Sequence, residues 1–325
     1  MSNLPTLVFI PGAWHKPTCF EKITSILSER NFKCVLVTLP STQGSPEATF
    51  KDDLDAARTA ISEETTQGHN VVVLAHSYGG MVGNSAIKGF TRPQDSPTDQ
   101  DQQPSGPGYI IGLILIASGF TFTSLAFMDP FLGRPPPLWR VNKETGFAEL
   151  VASPREAFYH DVPADEAEYW CSQLQPQSLK ALFEGGEHSY SGWLDIPCWY
   201  IGTAEDRGLP LFIQRMQAGM ARNMGASVEC RELRASHSPF LSHPKDTARL
   251  ILEAIGQFTG NPVGNLPSLD ECHAMMPVPK VELLQPLTWY KFGVPLAFGH
   301  LLGRCVVLFN WARRVLGTMG HQKSD

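Results

Sequence analysis

The sequence predicts an α/β protein in three layers, with a mostly parallel, doubly wound sheet, helices on both of its faces and a helical lid. Short, near-continuously apolar runs recur along the chain and alternate with helix-length segments, which is the pattern of a buried parallel sheet. One run, Val71–Ala75, leads through a serine directly into a helix rich in small residues. Such a strand–turn–helix arrangement lifts a side chain clear of the edge of a sheet.

The predicted core alternates strands and helices, and it comprises residues 1–119 and 194–259. Branched side chains dominate its strands and pack well on a pleated surface, and right-handed crossovers leave few topologies open. The strands are Leu7–Ile10, Cys34–Leu39, Val71–Ala75, Ile110–Ala117, Cys198–Gly202 and Val228–Leu233. The helices are Phe20–Arg30, Glu47–Gln67, Tyr78–Phe90, Pro210–Met224 and Pro244–Phe258.

Two internal segments depart from this alternation. Residues 91–108 are rich in Pro, Gln, Asp and Ser and almost devoid of apolar residues, which predicts a flexible surface insertion. Residues 120–193 are aromatic-rich and fall between two sheet strands, where we expect the lid. The short helices expected in this lid are Arg155–Tyr159, Ala164–Gln173 and Gln177–Phe183.

Residues 260–325 form a C-terminal extension to which the sequence assigns no role. Its longest uncharged apolar stretch, Phe292–Gly303, is too short to span a bilayer, which takes roughly 20 residues. Two interpretations of this apolar and basic region remain open. A helix docking on its own domain or on a partner is favoured, and an interfacial membrane helix, supported by Trp289, Trp311 and nearby arginines, is the alternative.

Composition excludes several other classes of protein. The net charge of −6 and the absence of Lys/Arg runs argue against a nucleic-acid partner. The seven cysteines include no C-x-x-C pair, which argues against a disulfide framework and a structural zinc site. No metal cluster, phosphate loop or dinucleotide fingerprint occurs, so no cofactor and no metal are expected. Met1–Thr6 lacks the features of a signal peptide, and a cytoplasmic protein is therefore expected.

Ser77 is the predicted nucleophile. Residues 75–79 follow the nucleophile-elbow pattern G-x-S-x-G, with Ala75 at the first small position. The turn requires a strained backbone at the serine, which costs on the order of 1–3 kcal/mol and is usually kept for a functional reason. Because a strand precedes this motif and a helix follows it, the pattern points to nucleophilic catalysis.

A serine nucleophile needs a general base and an acid that orients the base. His237 follows the last predicted core strand, at the carboxyl end where catalytic residues gather in such sheets, and is the expected base. Asp206 ends the loop after the preceding strand and is the expected acid, with the adjacent Glu205 as the alternative. The order Ser77, Asp206, His237 is the order that this arrangement takes along the chain.

Two backbone N–H groups are expected to form the oxyanion hole. One belongs to Tyr78, directly after the nucleophile, and the other to Ala13 in the Pro-Gly turn after the first strand. Losing one such donor typically costs about 10²–10³ in kcat.

Together these motifs resemble the α/β-hydrolase superfamily, in the branch of small esterases related to plant methylesterases, hydroxynitrile lyases and uncharacterised microbial hydrolases. The resemblance extends over about Leu4–Phe258 and implies the hydrolase fold with a Ser-His-Asp triad. The residues that carry it are Pro11–His15, Ala75–Gly80, Thr203–Arg207 and Ser236–Phe240, with the lid stretches Ala157–Pro163 and Leu174–Ser178.

Departures from the branch favour ester chemistry. Hydroxynitrile lyases of this branch carry threonine at the position of Gly12 and lysine at that of Ser238, so the groups that handle cyanide are missing here. Members commonly have histidine where this chain has Pro11, which leaves the Ala13 donor in place. Epoxide hydrolases and dehalogenases use an aspartate nucleophile, and position 77 is serine.

The aromatic residues predict a small, fairly hydrophobic substrate, which Trp14, Phe120, Phe158 and Trp193 would contact. The expected function is hydrolysis of a carboxylic ester or lactone through an acyl-enzyme. Two alternatives stay open. The same triad could perform acyl transfer, cyclisation or C–C cleavage in a polyketide-type secondary-metabolite pathway, or the fold could serve as a non-enzymatic small-molecule receptor.

Overall fold

A computed structural model of the chain describes residues 4–93 and 106–263, together with the backbone of residues 275–276. Its strands are β1 (Thr6–Ile10), β2 (Cys34–Leu36), β3 (Val71–His76), β4 (Ile110–Ile116), β5 (Trp139–Asn142), β6 (Phe147–Leu150), β7 (Gln177–Ser178), β8 (Cys198–Thr203), β9 (Val228–Leu233) and β10 (Met275–Met276). Its α-helices are α1 (Glu21–Ser28), α2 (Phe50–Thr66), α3 (Gly79–Ala86), α4 (Pro154–Phe158), α5 (Ala164–Gln173), α6 (Leu179–Phe183), α7 (Leu211–Asn223), α8 (Pro239–Ser242) and α9 (Pro244–Thr259).

The central sheet has the strand order β2-β1-β3-β4-β8-β9-β10. Every pairing from β2 to β9 is parallel, and β10 joins the edge antiparallel to β9, with Met275 opposite Leu233. Helix α1 packs against α9, and α2 packs against α3. The predicted α/β class with a mostly parallel sheet and three layers is confirmed.

The strands of the central sheet are apolar runs in the sequence because most of their residues are buried. Every residue of β1 and β3 is buried, and β4 is buried except at Ile111. Gly112 in β4 has a packing reason, because a Cβ there would lie 2.2 Å from the ring of Phe258 on α9. The sheet is thus covered closely enough to leave no room for one methyl group at this point.

Four core helices, α1, α2, α3 and α7, are shorter than the sequence predicts, and α2 and α3 show why. Helix α2 begins at Phe50 instead of Glu47, because Thr49 caps it and exchanges hydrogen bonds with Asp52 in a capping box. Helix α3 ends at Ala86, and Gly89 then turns the chain with a φ of +83°.

Between β4 and β8 lies a segment with its own small sheet. Strands β5, β6 and β7 pair antiparallel in that order, beside the short helices α4, α5 and α6. The prediction of helices alone in this segment is wrong, because the segment also contains this sheet and Gln177–Ser178 is a strand. The sequence feature that could have indicated this sheet is Gly146, which closes the turn of a hairpin between two four-residue strands with a φ of +74°. The boundaries of a lid at 120–193 remain a proposal.

Most residues of two predicted regions lie outside the described part of the chain. These are the insertion at 91–108, of which 94–105 are not described, and the extension at 260–325, of which only 260–263 and the backbone of 275–276 are described. Within the described ranges, no helix combines the length and apolar character needed to cross a membrane.

Candidate active site

The loops after β1 and β3 meet at the point where the strand order of the sheet reverses. Strand β1 lies between β2 and β3, so the chain leaves it in one direction and returns on the other side. Such a switch point opens a crevice at the carboxyl ends of the strands. Gly12 makes the close approach possible, because a Cβ there would lie 3.0 Å from the Cβ of Ser77 and 2.9 Å from Nδ1 of His76.

Ser77 occupies a strained turn between β3 and α3, with a φ of +50°. A non-glycine residue in this left-handed region is uncommon and is held by its surroundings. Its carbonyl oxygen accepts hydrogen bonds from the hydroxyl of Ser118 at 2.6 Å and from the N–H of Gly80 at 2.9 Å. Gly79 lets the helix start against the first loop, since a Cβ there would lie 2.3 Å from the carbonyl oxygen of Pro11.

His237 and Asp206 lie together in the loops after β9 and β8. Nδ1 of His237 is 2.8 Å from Oδ2 of Asp206, and both residues are buried. A carboxylate only accepts, so Nδ1 carries the proton and Nε2 is left as a proton acceptor. Glu205, the alternative acid, is half exposed, and its carboxylate lies 3.8 Å from Nε of Arg234. Of the two acids, Asp206 is the one in contact with His237.

Asp206 is surrounded by donors that the sequence analysis did not identify. Its Oδ1 accepts from the N–H groups of Gly208 at 2.8 Å and Leu209 at 2.7 Å. Its Oδ2 also accepts from the hydroxyl of Thr203 at 2.7 Å and from Nε2 of Gln214 at 3.2 Å. These bonds fix the orientation of the carboxylate. Gln214 sits on α7 without any sequence motif that would single it out.

The two N–H groups expected in the oxyanion hole flank Ser77. Among the hydrogen bonds of the described residues, neither Ala13 N nor Tyr78 N donates to a protein acceptor. The side chain of Tyr78 points elsewhere, because its hydroxyl donates to Oδ2 of Asp53 at 2.8 Å. Asp53 also accepts from the N–H of Ser41, and burial raises the pKa of its carboxyl to about 6.

The four aromatic residues expected to contact substrate form two groups. The ring of Phe158 lies 5.5 Å from that of His237 and 6.2 Å from that of Trp14. Phe120 and Trp193 instead pack on each other at 5.6 Å. Trp193 is fully buried, and its indole N–H donates to the carbonyl of Thr121 at 2.6 Å. The structure therefore brings Trp14 and Phe158 to His237 and leaves Trp193 in the packed interior.

His76 contacts His237 and His15 packs on His76, with 5.6 Å between their ring centroids, and neither was assigned a role from the sequence. His76 donates from Nε2 to the carbonyl oxygen of His237 at 2.9 Å, and their rings lie 4.7 Å apart. Burial holds the pKa of His76 well below its usual range and lowers that of His15 to about 4. Both rings are therefore neutral at physiological pH.

Within the described residues, no group of three or more His, Cys, Asp or Glu side chains is placed to hold a metal ion. The site consists of a strained serine, a His–Asp pair and two unpaired N–H groups, and this set is suited to acyl chemistry at a carbonyl carbon.

The fold and this edge of the sheet define an α/β enzyme architecture with a serine at its nucleophile turn. The chain belongs to the alpha/beta hydrolase family, whose sequence profile matches residues 7–250. The predicted membership of the α/β-hydrolase superfamily is thereby confirmed.

Individual relatives show how far the similarity extends. The alpha/beta hydrolase nvfD of Aspergillus novofumigatus is 27% identical over 256 residues, which are 78% of this chain and 97% of nvfD. The solved structure of polyneuridine aldehyde esterase superposes with a TM-score of 0.59 and 18% identity, covering 77% of this chain and 98% of that chain. The methylesterase MES16 from Arabidopsis superposes with a TM-score of 0.56 and 19% identity, over 78% of this chain and 100% of that chain. At these identities the two superpositions show a shared fold.

Proposed function

We propose that this protein is a serine hydrolase that cleaves a carboxylic ester or lactone of a small, fairly hydrophobic molecule. The observation that carries the proposal is the 2.8 Å contact between His237 and Asp206, together with the strained backbone of Ser77. His76, which directly precedes Ser77, joins the two by a hydrogen bond of 2.9 Å to the carbonyl oxygen of His237. Family membership supports hydrolase chemistry, and the names of the two structural neighbours, an esterase and a methylesterase, agree with an ester substrate.

The proposed reaction proceeds through an acyl-enzyme. Nε2 of His237 takes the proton of the Ser77 hydroxyl as Oγ forms a bond to the ester carbonyl carbon, and Asp206 stabilises the resulting imidazolium. The electron pair displaced onto the carbonyl oxygen is stabilised by the N–H groups of Ala13 and Tyr78. His237 then returns its proton to the leaving alkoxide as the ester C–O bond breaks. In a lactone this alcohol stays attached to the acyl group. Water, deprotonated by His237, finally attacks the acyl-enzyme and releases the acid and Ser77.

The surroundings of His237 support an apolar substrate. Phe158 packs on the imidazole, and Trp14 stacks on Phe158 with 29° between the ring planes. The indole N–H of Trp14 already donates to the carbonyl of Ala148 at 2.9 Å, so its ring offers an apolar face. Both rings are buried, with Phe158 2% exposed and Trp14 8% exposed, so they form an apolar wall next to His237 that suits an alkyl or aromatic group.

The test is hydrolysis of p-nitrophenyl esters of graded chain length by wild type and Ser77→Ala. Removal of the nucleophile is expected to lower kcat by about 10⁶-fold, effectively to background, with the fold intact. Ser25→Ala, at an exposed position of α1, is the matched control and should behave as wild type. Labelling with a fluorophosphonate serves as a second readout, because it reports an activated serine even when none of the esters is turned over.

Each outcome assigns a different function. Turnover that is lost in Ser77→Ala supports the hydrolase, and the chain-length optimum gives the size of the acyl site. Labelling of Ser77 without turnover of any ester would favour acyl transfer, cyclisation, C–C cleavage or a receptor. A wild-type protein that neither turns over nor labels contradicts the nucleophile assignment.

A further inference from the structure

We propose that Tyr159 and His15 position the oxyanion loop, defined as Gly12–His15, and so control catalysis from the segment above the sheet without contacting the substrate. The inference rests on the proposed function, because it assigns the N–H of Ala13 to the oxyanion hole. It makes Tyr159 and His15 positioning residues.

His15 bridges the two partners through both ring nitrogens. Its Nδ1 lies 2.7 Å from the carbonyl oxygen of Ala13, and its Nε2 lies 2.8 Å from the hydroxyl of Tyr159. A carbonyl oxygen only accepts, so Nδ1 must carry the proton and Nε2 must be the acceptor for the Tyr159 O–H. One neutral tautomer satisfies both bonds, and the low pKa of the buried His15 ring keeps it neutral.

The chain between β4 and β8 holds the rest of the oxyanion loop as well. The carbonyl oxygen of Trp14 accepts from the N–H of Gln175 at 2.8 Å, and the indole of Trp14 donates to Ala148 on β6. The backbone N–H of Trp14 points to Oε1 of Gln177 at 3.4 Å. Within the loop itself, the N–H of His15 donates to Gly12 at 3.2 Å. Most of the hydrogen bonds that hold the oxyanion loop therefore come from the segment between β4 and β8.

The backbone of the loop needs such support. Trp14 has a φ of +64°, a conformation that costs a non-glycine residue on the order of 1–3 kcal/mol and persists only when neighbours impose it. Tyr159 is fully buried directly after α4, and its hydroxyl has His15 as its partner. Removing that hydroxyl leaves Nε2 of His15 without its donor, so the imidazole that bonds to Ala13 is no longer held in one orientation. The direction of the Ala13 N–H group is then no longer fixed.

The first test is Tyr159→Phe, which keeps the ring and removes only the hydroxyl. We expect kcat for a p-nitrophenyl ester to fall about tenfold with KM unchanged, because the lost interaction acts in the transition state. The rate of fluorophosphonate labelling of Ser77 should fall by a similar factor. Tyr190→Phe is the matched control: it loses a hydroxyl bonded to Asp195 at 2.8 Å in an exposed position, and it should keep wild-type kinetics.

A pair of His15 variants separates positioning from packing. In His15→Asn the side-chain amide nitrogen replaces Nδ1 and can still donate to Ala13, whereas in His15→Gln it replaces Nε2 and cannot. The proposal expects kcat of the Asn variant to fall about tenfold, as in Tyr159→Phe, because its shorter side chain loses the bond to Tyr159. It expects kcat of the Gln variant to fall further, by about 10²-fold, because the bond that holds Ala13 is lost. If His15 contributed only packing, kcat would fall equally in both variants.

Two results would overturn the inference while leaving the proposed function intact. One is an active wild type beside a Tyr159→Phe variant of unchanged kcat, and the other is an equal loss in His15→Asn and His15→Gln. A wild-type protein without turnover and without labelling would instead overturn the proposed function, and this inference with it.

Discussion

At the scale of single residues, the structure separates two adjacent carboxylates by their contacts. Asp206 accepts from His237, from two backbone N–H groups, and from Thr203 and Gln214. Glu205 is half exposed, and its nearest cation is Arg234 at 3.8 Å. A buried, fully bonded carboxylate can hold an imidazole in one tautomer, whereas an exposed carboxylate in a loose ion pair cannot.

We therefore expect Asp206→Asn to lower kcat by about 10⁴-fold, because an amide in place of the carboxylate favours the wrong tautomer of His237. Glu205→Gln should stay close to wild type. The measurement is kcat and KM of both variants for the best p-nitrophenyl ester. If Glu205→Gln lost activity and Asp206→Asn kept it, the two assignments would have to be exchanged.

What the sequence could predict at this scale follows from where the residues lie along strands. Ser77, Asp206 and His237 each follow an apolar run, and neighbouring strands bring the loops at their carboxyl ends together. The supporting residues left no such trace. Tyr159 contacts His15 across 144 residues of sequence, and Gln214 is one polar residue on a helix. Their roles arise from tertiary packing, which no local pattern reports.

At the scale of elements, Asp53 joins α2 to the nucleophile turn. Its carboxylate accepts from the hydroxyl of Tyr78 at 2.8 Å and from the N–H of Ser41 at 2.8 Å, and the residue is fully buried. The hydroxyl of Tyr78 is also 3.4 Å from the carbonyl of Ala181 on α6. This carboxyl therefore sits where α2, α3 and α6 converge.

Burial raises the pKa of Asp53 from 3.8 to about 6, which predicts a pH-dependent stability. The folded state binds a proton that the unfolded chain releases above pH 4, so this stabilising contribution is present at low pH and is lost as pH rises to about 6. The contribution of this proton to the free energy of unfolding is about 3 kcal/mol, for a shift of about two pKa units. Asp53→Asn should remove this part of the pH dependence.

The measurement is the free energy of urea unfolding at pH 4.5 and pH 7.5. Asp53→Asn should gain stability relative to wild type on going to pH 7.5. Asp55→Asn, an exposed position on the same helix paired with Lys51 at 2.5 Å, is the control. Equal pH profiles for wild type and Asp53→Asn would contradict the raised pKa.

The core elements were easier to predict than those above the sheet for a physical reason. Strands such as β1 and β3 are buried on both faces, so their continuous apolar composition is enough to identify them as strands. In β5 and β6 only Trp139 and Ala148 are buried, and each strand spans four residues. A strand that short and that exposed lacks both a continuous apolar run and a clear alternation.

At the scale of the whole molecule, the part of the chain that matches the hydrolase family ends well before residue 325. The family profile ends at residue 250, and nvfD is covered over 97% of its length by 78% of this chain. Helix α9 ends at Thr259, and the next residue, Gly260, closes it with a left-handed turn at a φ of +69°. Within the part of the chain that the structure describes, every sheet strand except β10 precedes this point.

We therefore expect a chain that stops after Val263 to fold and to hydrolyse the same esters. Among the described residues, this truncation removes only the pairing of β10, a strand of two residues. The net loss of about two backbone hydrogen bonds should lower the melting temperature by about 2–8 °C. Strand β9 then becomes the edge, and it carries Glu229 and Arg231, charged side chains that discourage edge-to-edge association. The measurement compares melting temperature, oligomeric state and ester turnover of the full chain and residues 1–263. Aggregation of the shorter chain, or loss of turnover with an unchanged melting curve, would mean that residues beyond 263 complete the core or the site, and either result would contradict the self-sufficient core.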